Sequence, residues 1–78
     1  METYFEFLHD TWIYYFGSLD ITAYEYDVYG RIMNKIKNKK FDFTEQDTTC
    51  MLKLIDELMF VCDYAEIKRF EHFKQQLK

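Results

Sequence analysis

The chain lacks proline, has only two glycines and two cysteines, and contains no long run of uncharged apolar residues. No segment approaches the roughly 18 apolar residues of a membrane span, and the first residues lack the basic start of a secretory signal. Cys50 and Cys62, if they share one helix, lie about 18 Å apart along its axis and are too distant to bridge each other. We therefore expect a cytoplasmic protein with reduced thiols and no membrane association.

Aromatic residues, by contrast, are abundant, with eight Phe, seven Tyr and one Trp among 78 residues. A domain of this size buries only a modest share of its surface, and each of these rings can bury roughly 150 to 250 Å². The rings can therefore reinforce a small core, but their number exceeds what one such interior readily holds. We expect some of them to be exposed, and exposed aromatic patches typically mark a partner-binding site.

Charge is segregated along the sequence. Residues 1–30 carry six acids and no Lys or Arg, residues 31–40 carry five bases and no acid, and residues 41–78 carry eight acids and five bases. The net charge of -4 is opposite in sign to the basic balance that is typical of nucleic-acid-binding domains. Nucleic acid is therefore not the expected partner, although the basic 31–40 segment leaves a small dimeric nucleic-acid-binding regulator as the alternative.

Apolar residues spaced by three or four predict an all-α fold, a small bundle of three helices in a single domain over residues 1–78. The predicted helices span about 2–16, 20–39 and 44–77. Gly17 is placed to end the first helix in the left-handed conformation.

The start of the second helix is less sharply marked. Asp20 is the first candidate for the N-cap and Thr22 is a competing one. Tyr24, Tyr26 and Val28 alternate with acids as in a strand, but helical spacing continues beyond them and favours a helix.

The third helix begins with a capping-box pattern at Thr44, and its apolar stripe changes phase near Asp63. Either one helix of roughly 33 residues continues to the end, or the chain bends near Asp63 and a fourth helix follows. Because no Gly or Pro occurs after Thr44, we favour the long helix. Its second half would extend beyond its neighbours, which predicts a homodimer through the side chains left without cover, Tyr64, Ile67, Phe70 and Phe73.

No pattern in the sequence carries a recognisable reaction. Glu6 and His9 have the Glu-x-x-His spacing of di-iron bundles, but Arg69 occupies the matching position before His72, so a second copy is missing. Neither histidine is close in sequence to a cysteine that it could activate. We expect no metal, no cofactor and no enzymatic activity.

Acids and phenols alternate at the start of the second helix, and tyrosine is enriched at protein interfaces. We predict that a partner binds there, through Tyr24, Glu25, Tyr26, Asp27 and Tyr29. Acids along helices can also imitate the phosphates of nucleic acid in a basic groove. The size and the absence of a chemical motif indicate an inhibitor or adaptor of the phage or mobile-element type. It would block a host protein such as a nuclease or another nucleic-acid-binding protein, for example as an anti-CRISPR or other anti-defence factor.

Overall fold

The computed structural model describes residues 2–77, and within them the chain forms four α-helices and no strand. The helices are α1 (Glu2–Tyr15), α2 (Ala23–Lys37), α3 (Glu45–Leu58) and α4 (Tyr64–Leu77), and a 3₁₀ turn at Phe16–Ser18 follows α1. The all-α class is thereby confirmed, and the strand alternative for residues 24–28 is wrong.

A single hydrophobic core lies between the helices. Its buried members are Phe5, Leu8 and Trp12 of α1, Tyr29, Ile32, Met33 and Ile36 of α2, Met51, Leu54, Ile55 and Leu58 of α3, and Phe70 and Phe73 of α4. Phe5 joins three parts of the chain, because its ring lies 5.4 Å from Phe41, 5.0 Å from Phe43 and 5.5 Å from Phe73, measured between centroids. Burial of each such side chain contributes about 1.5–3 kcal/mol to folding.

The first two helices differ from the predicted boundaries for local reasons. Gly17 does not adopt the left-handed conformation; the chain tightens instead into the 3₁₀ turn, where the Leu19 N–H donates to the Phe16 carbonyl. The N-cap of α2 is Thr22, the competing candidate, and not Asp20. The Thr22 hydroxyl accepts a hydrogen bond from the Glu25 N–H, and the Glu25 carboxylate accepts one from the Thr22 N–H, both at 3.1 Å.

The predicted long helix over residues 44–77 is wrong, and the alternative with a bend near Asp63 is the one observed. The chain leaves α3 after Leu58, and Asp63 starts α4 by accepting from the Glu66 N–H at 2.9 Å. The Asp63 N–H donates in return to the Glu66 carboxylate at 3.1 Å. A continuous helix of that length would measure about 50 Å, whereas the longest extent of the molecule is 29 Å.

Because the chain bends, α4 folds back onto α1. The ring of Phe70 lies 4.7 Å from that of Phe7, and the ring of Phe73 stacks on that of Tyr4 at 5.2 Å. Both Phe70 and Phe73 have no exposed surface. The expectation that these two side chains lack cover within one copy of the chain, on which their role in self-association rested, is therefore wrong.

Candidate protein-binding surface

Two chain connections lie side by side at one end of the molecule. One is the α1–α2 connection, residues 16–22, and the other is the α3–α4 connection, residues 59–63. The Tyr15 hydroxyl donates to the Glu66 carboxylate at 3.0 Å, and Lys53 of α3 pairs with Glu25 of α2 at 2.9 Å. We call this region, with the helical turns that flank it, the connection end.

The exposed apolar surface is concentrated at the connection end. Among residues 2–77, the large hydrophobic side chains that are exposed all lie in these two connections or within about one helical turn of them: Ile13, Tyr14, Phe16, Tyr24, Tyr26, Phe60 and Tyr64. Phe60 is 90% exposed, the highest fraction of this set. At the opposite end, Phe41 and Phe43 of the α2–α3 connection are half-buried against Phe5. Single exposed hydrophobics are ordinary, but a set gathered at one end is typical of an interaction surface.

The connection end is also acidic. Residues 10–30 and 56–67, which form most of it, contain eight acids and no Lys or Arg. Glu25, Asp27 and Asp56 pair with cations at its margins, namely Lys53, Arg31 and Lys74. Within residues 2–77, neither Asp20, Glu57, Asp63 nor Glu66 forms an ion pair with Lys or Arg. Negative charge therefore remains uncompensated beside the exposed rings.

The residues predicted to bind a partner on α2 have different environments. Tyr24, Tyr26 and Asp27 are exposed, and Tyr26 packs one side of its ring near Trp12 and Phe16. Tyr29 is buried in the core, and this burial raises the pKa of its phenol, so it offers no surface to a partner.

The carboxylate of Glu25 is engaged within the molecule. It accepts from the Thr22 backbone and pairs with Lys53, and these contacts lower its pKa from 4.5 to about 2, with the hydrogen bond to Lys53 as the largest cause. We therefore assign Glu25 a structural role, because it joins the start of α2 to α3.

On α4, Tyr64 is exposed and its ring lies 5.4 Å from the ammonium of Lys68, whereas Ile67 is half-buried. The predicted self-association set is thus divided. Tyr64 belongs to the connection end, and Phe70 and Phe73 belong to the core.

A hollow of about 300 Å³ lies between the two connections. It is lined by Ser18, Leu19 and Asp20 on one side and by Glu57, Phe60 and Val61 on the other. The pKa of Glu57 is raised, first by burial and then by the negative charge of Glu25, with a further contribution from Asp20 and an opposing one from Lys53. The hollow therefore combines apolar walls with two carboxylates that carry no cationic partner among the described residues.

A second groove, of about 330 Å³, runs between α2 and α3. Its apolar floor includes Val28 and Ile32, and two ion pairs cross it, Glu25 with Lys53 and Lys35 with Asp47. The remaining cation of the lining, Arg31, pairs with Asp27 on the same helix, so the groove offers a ligand less uncompensated charge than the hollow does.

Candidates for chemistry are sparse in the part of the chain that the structure describes. No three His, Cys, Asp or Glu side chains among residues 2–77 come together as a metal site. Both thiols are half-buried, and burial raises the pKa of Cys62, which lowers its thiolate fraction at neutral pH. Over the same residues, no helix is both long and apolar enough to cross a bilayer.

Ile13, Tyr14, Phe16 and Phe60 are surface residues that the sequence interpretation did not single out. The signal that could have found Phe60 is the run Met59-Phe60-Val61-Cys62, which interrupts the spacing by three and four. Because the chain turns at this run, the side chain of Phe60 has no neighbouring helix to cover it.

A scan against protein-family models, a search of curated proteins and a search of solved structures each found no match to this chain.

Proposed function

We propose that this protein acts without catalysis, by binding another protein through the connection end. The observation that carries the proposal is the gathering of seven exposed large hydrophobic side chains at that end, four of them Tyr and two of them Phe. The same end carries carboxylates that have no Lys or Arg partner within residues 2–77. Tyrosine and phenylalanine supply large rigid contacts at low entropic cost, and such residues dominate binding energy at protein interfaces.

The narrower form of the proposal is an inhibitor or adaptor of the phage or mobile-element type that blocks a host protein. A host nuclease or another nucleic-acid-binding protein is the target that the acidic surface suits, because such proteins carry complementary basic grooves. An anti-CRISPR or other anti-defence factor is the most specific hypothesis of this kind. It rests on small size, charge and the absence of a chemical motif.

The ion pairs of the basic 31–40 segment favour the protein-binding proposal over the nucleic-acid alternative. Arg31 pairs with Asp27, Lys35 with Asp47, and Lys39 lies 3.5 Å from both Glu2 and Glu6. These acids partly neutralise the cations that would contact phosphates.

The test is affinity capture from the native host, followed by reconstitution of the complex from purified proteins. Tyr24 is 73% exposed, so Tyr24→Ala should leave the fold intact and weaken a complex centred on this surface about tenfold or more. Lys37→Ala, at the opposite end, is the matched control and should bind as the wild type does. A complex that survives size exclusion and is indifferent to Tyr24→Ala, Phe60→Ala and Tyr64→Ala would overturn the proposal.

Charge reversal at Arg31, Lys35 and Lys39 tests the alternative. We expect neither the wild type nor this variant to shift DNA or RNA in a gel at physiological salt. A shift by the wild type that weakens as salt rises, and that the reversal abolishes, would favour the nucleic-acid regulator instead.

A further inference from the structure

The walls of the hollow between the two connections combine aliphatic, aromatic and acidic side chains. Leu19 and Val61 provide aliphatic surface, and Phe60 provides an aromatic ring that is almost fully exposed. Asp20 of the α1–α2 connection and Glu57 of the last turn of α3 place carboxylates on opposite sides of the same hollow. Its volume of about 300 Å³ is at the lower limit for small-molecule pockets, which suits a single side chain better than a larger ligand.

The charges that face the hollow favour a cation. Glu57 is repelled by the negative charge of Glu25 and, to a smaller extent, by that of Asp20. Among residues 2–77, Lys53 is the cation that opposes this effect, and it already pairs with Glu25. A cation that enters the hollow would relieve this repulsion between carboxylates that lack a Lys or Arg partner within residues 2–77.

We propose that the hollow binds one arginine side chain of the protein partner. The aliphatic part of that side chain packs on Leu19 and Val61, its guanidinium lies between Asp20 and Glu57, and the ring of Phe60 stacks on the guanidinium plane. Arginine fits better than lysine because its planar group both binds carboxylates at two points and stacks on aromatic rings. This inference rests on the proposed function and specifies the chemistry that the partner presents.

The test uses the isolated protein, labelled with ¹⁵N, and three capped tripeptides with Arg, Lys or citrulline between two glycines. Citrulline has nearly the shape of arginine but no charge. We expect the arginine peptide to shift the amide signals of residues 18–20 and 57–61, with saturation at a concentration severalfold lower than for the lysine peptide. The citrulline peptide should produce no saturable shift.

Two sets of variants separate the hollow from general attraction to an acidic protein. The double variant Asp20→Asn/Glu57→Gln should lose the arginine response. The double variant Asp42→Asn/Glu71→Gln makes the same change in net charge at exposed positions outside the hollow and should keep the response. Phe60→Leu removes the ring from a side chain that is 90% exposed and should reduce the preference for arginine over lysine.

Glu57 supplies an independent readout. Its carboxyl pKa should fall when the arginine peptide is bound, because the guanidinium stabilises the carboxylate. Equal responses to arginine and citrulline, or a response that Asp20→Asn/Glu57→Gln leaves intact, would overturn the arginine site. That failure is distinct from failure of the proposed function, since the partner complex and its dependence on Tyr24 are measured separately.

Discussion

Tyr64 and Phe70 lie on the same helix in opposite environments, so substitution of each shows where the core ends and the candidate surface begins. Phe70 is fully buried against Phe7, whose ring also lies 4.0 Å from the guanidinium of Arg69. Phe70→Ala should lower the free energy of unfolding by about 3–5 kcal/mol, because it removes a large ring and leaves a cavity. Tyr64→Ala, at a position that is 72% exposed, should change it by about 0.5 kcal/mol or less.

Urea denaturation followed by circular dichroism measures both variants. A domain of this size has little stability to spare, so Phe70→Ala can fail to fold. Phe70→Leu then serves in its place, with an expected loss of about 1–2 kcal/mol from the poorer fit. Equal losses for Phe70→Leu and Tyr64→Ala would contradict the burial of Phe70.

Glu25 makes the free energy of unfolding depend on pH. Its pKa is lowered in the folded state from 4.5 to about 2, mainly by the hydrogen bond from Lys53. As the pH falls, the carboxylate of Glu25 takes up a proton in the unfolded chain before it does so in the folded one. The stabilisation is therefore present above pH 4.5 and is lost as the pH falls toward 2.

Glu25→Gln should make the loss of stability between pH 4.5 and 2 shallower. Lys53→Met should raise the pKa of Glu25 in a carboxyl NMR titration, and Lys37→Met, its control, should leave it unchanged.

Hydrogen-bonded capping boxes begin three of the helices in residues 2–77. The pairs are Thr22 with Glu25, Thr44 with Asp47, and Asp63 with Glu66. The first two patterns were read from the sequence, with Thr22 as a competing candidate. The third has the same spacing, but neither Gly nor Pro accompanies it, so the sequence after Thr44 favours one long helix. Because α3 already ends at Leu58, the Asp63 cap marks where α4 begins and does not itself end α3.

The helical phase of α2 shows another limit of sequence reasoning. Helical spacing predicts an apolar stripe through Ile21, Tyr24, Val28, Ile32 and Ile36. Ile32 and Ile36 are buried as this stripe predicts, but Tyr24 is exposed, and Tyr29 and Met33, which lie outside the stripe, are buried. Aromatic residues occur around much of this helix, so a small rotation exchanges one apolar stripe for the other. Only the packing of α1 and α3 against α2 decides that Tyr29 is buried and Tyr24 is exposed.

The Asp63 cap gives a prediction about the helix that it begins. Asp63→Ala removes the acceptor for the Glu66 N–H and should lower the free energy of unfolding by about 1 kcal/mol. Asp63→Asn keeps an acceptor at the same position and should cost only a few tenths of a kcal/mol. Amide hydrogen exchange at residues 64–67 should become faster in the alanine variant only. Equal exchange rates in the two variants would show that α4 does not depend on this cap.

The folded molecule carries its negative and positive charges at opposite ends. The connection end has uncompensated carboxylates, whereas Lys35, Lys37, Lys39 and Lys40 lie near the opposite end, where α2 stops. Such a charge distribution orients the molecule as it approaches a basic partner and accelerates association at low salt. The association rate with the captured partner should therefore fall as salt rises, while Asp20→Asn/Glu57→Gln should weaken this dependence.

The same polarity bears on self-association. The sequence predicts a homodimer through Tyr64, Ile67, Phe70 and Phe73. This prediction stays untested, although the burial of Phe70 and Phe73 removes its main reason.

A symmetric dimer places the same patch of both copies in contact, so pairing through the connection end would bring Asp20, Glu57 and Asp63 of each copy together. We expect this repulsion to keep the isolated protein a monomer of 9.7 kDa in light scattering at neutral pH and low salt. Raised salt at neutral pH, which screens this repulsion, should allow exposed rings of two copies to associate, and Phe60→Ala should reduce that association. A dimer that is stable at neutral pH and low salt, and that Phe60→Ala and Tyr64→Ala do not weaken, would show that another face of the molecule mediates self-association.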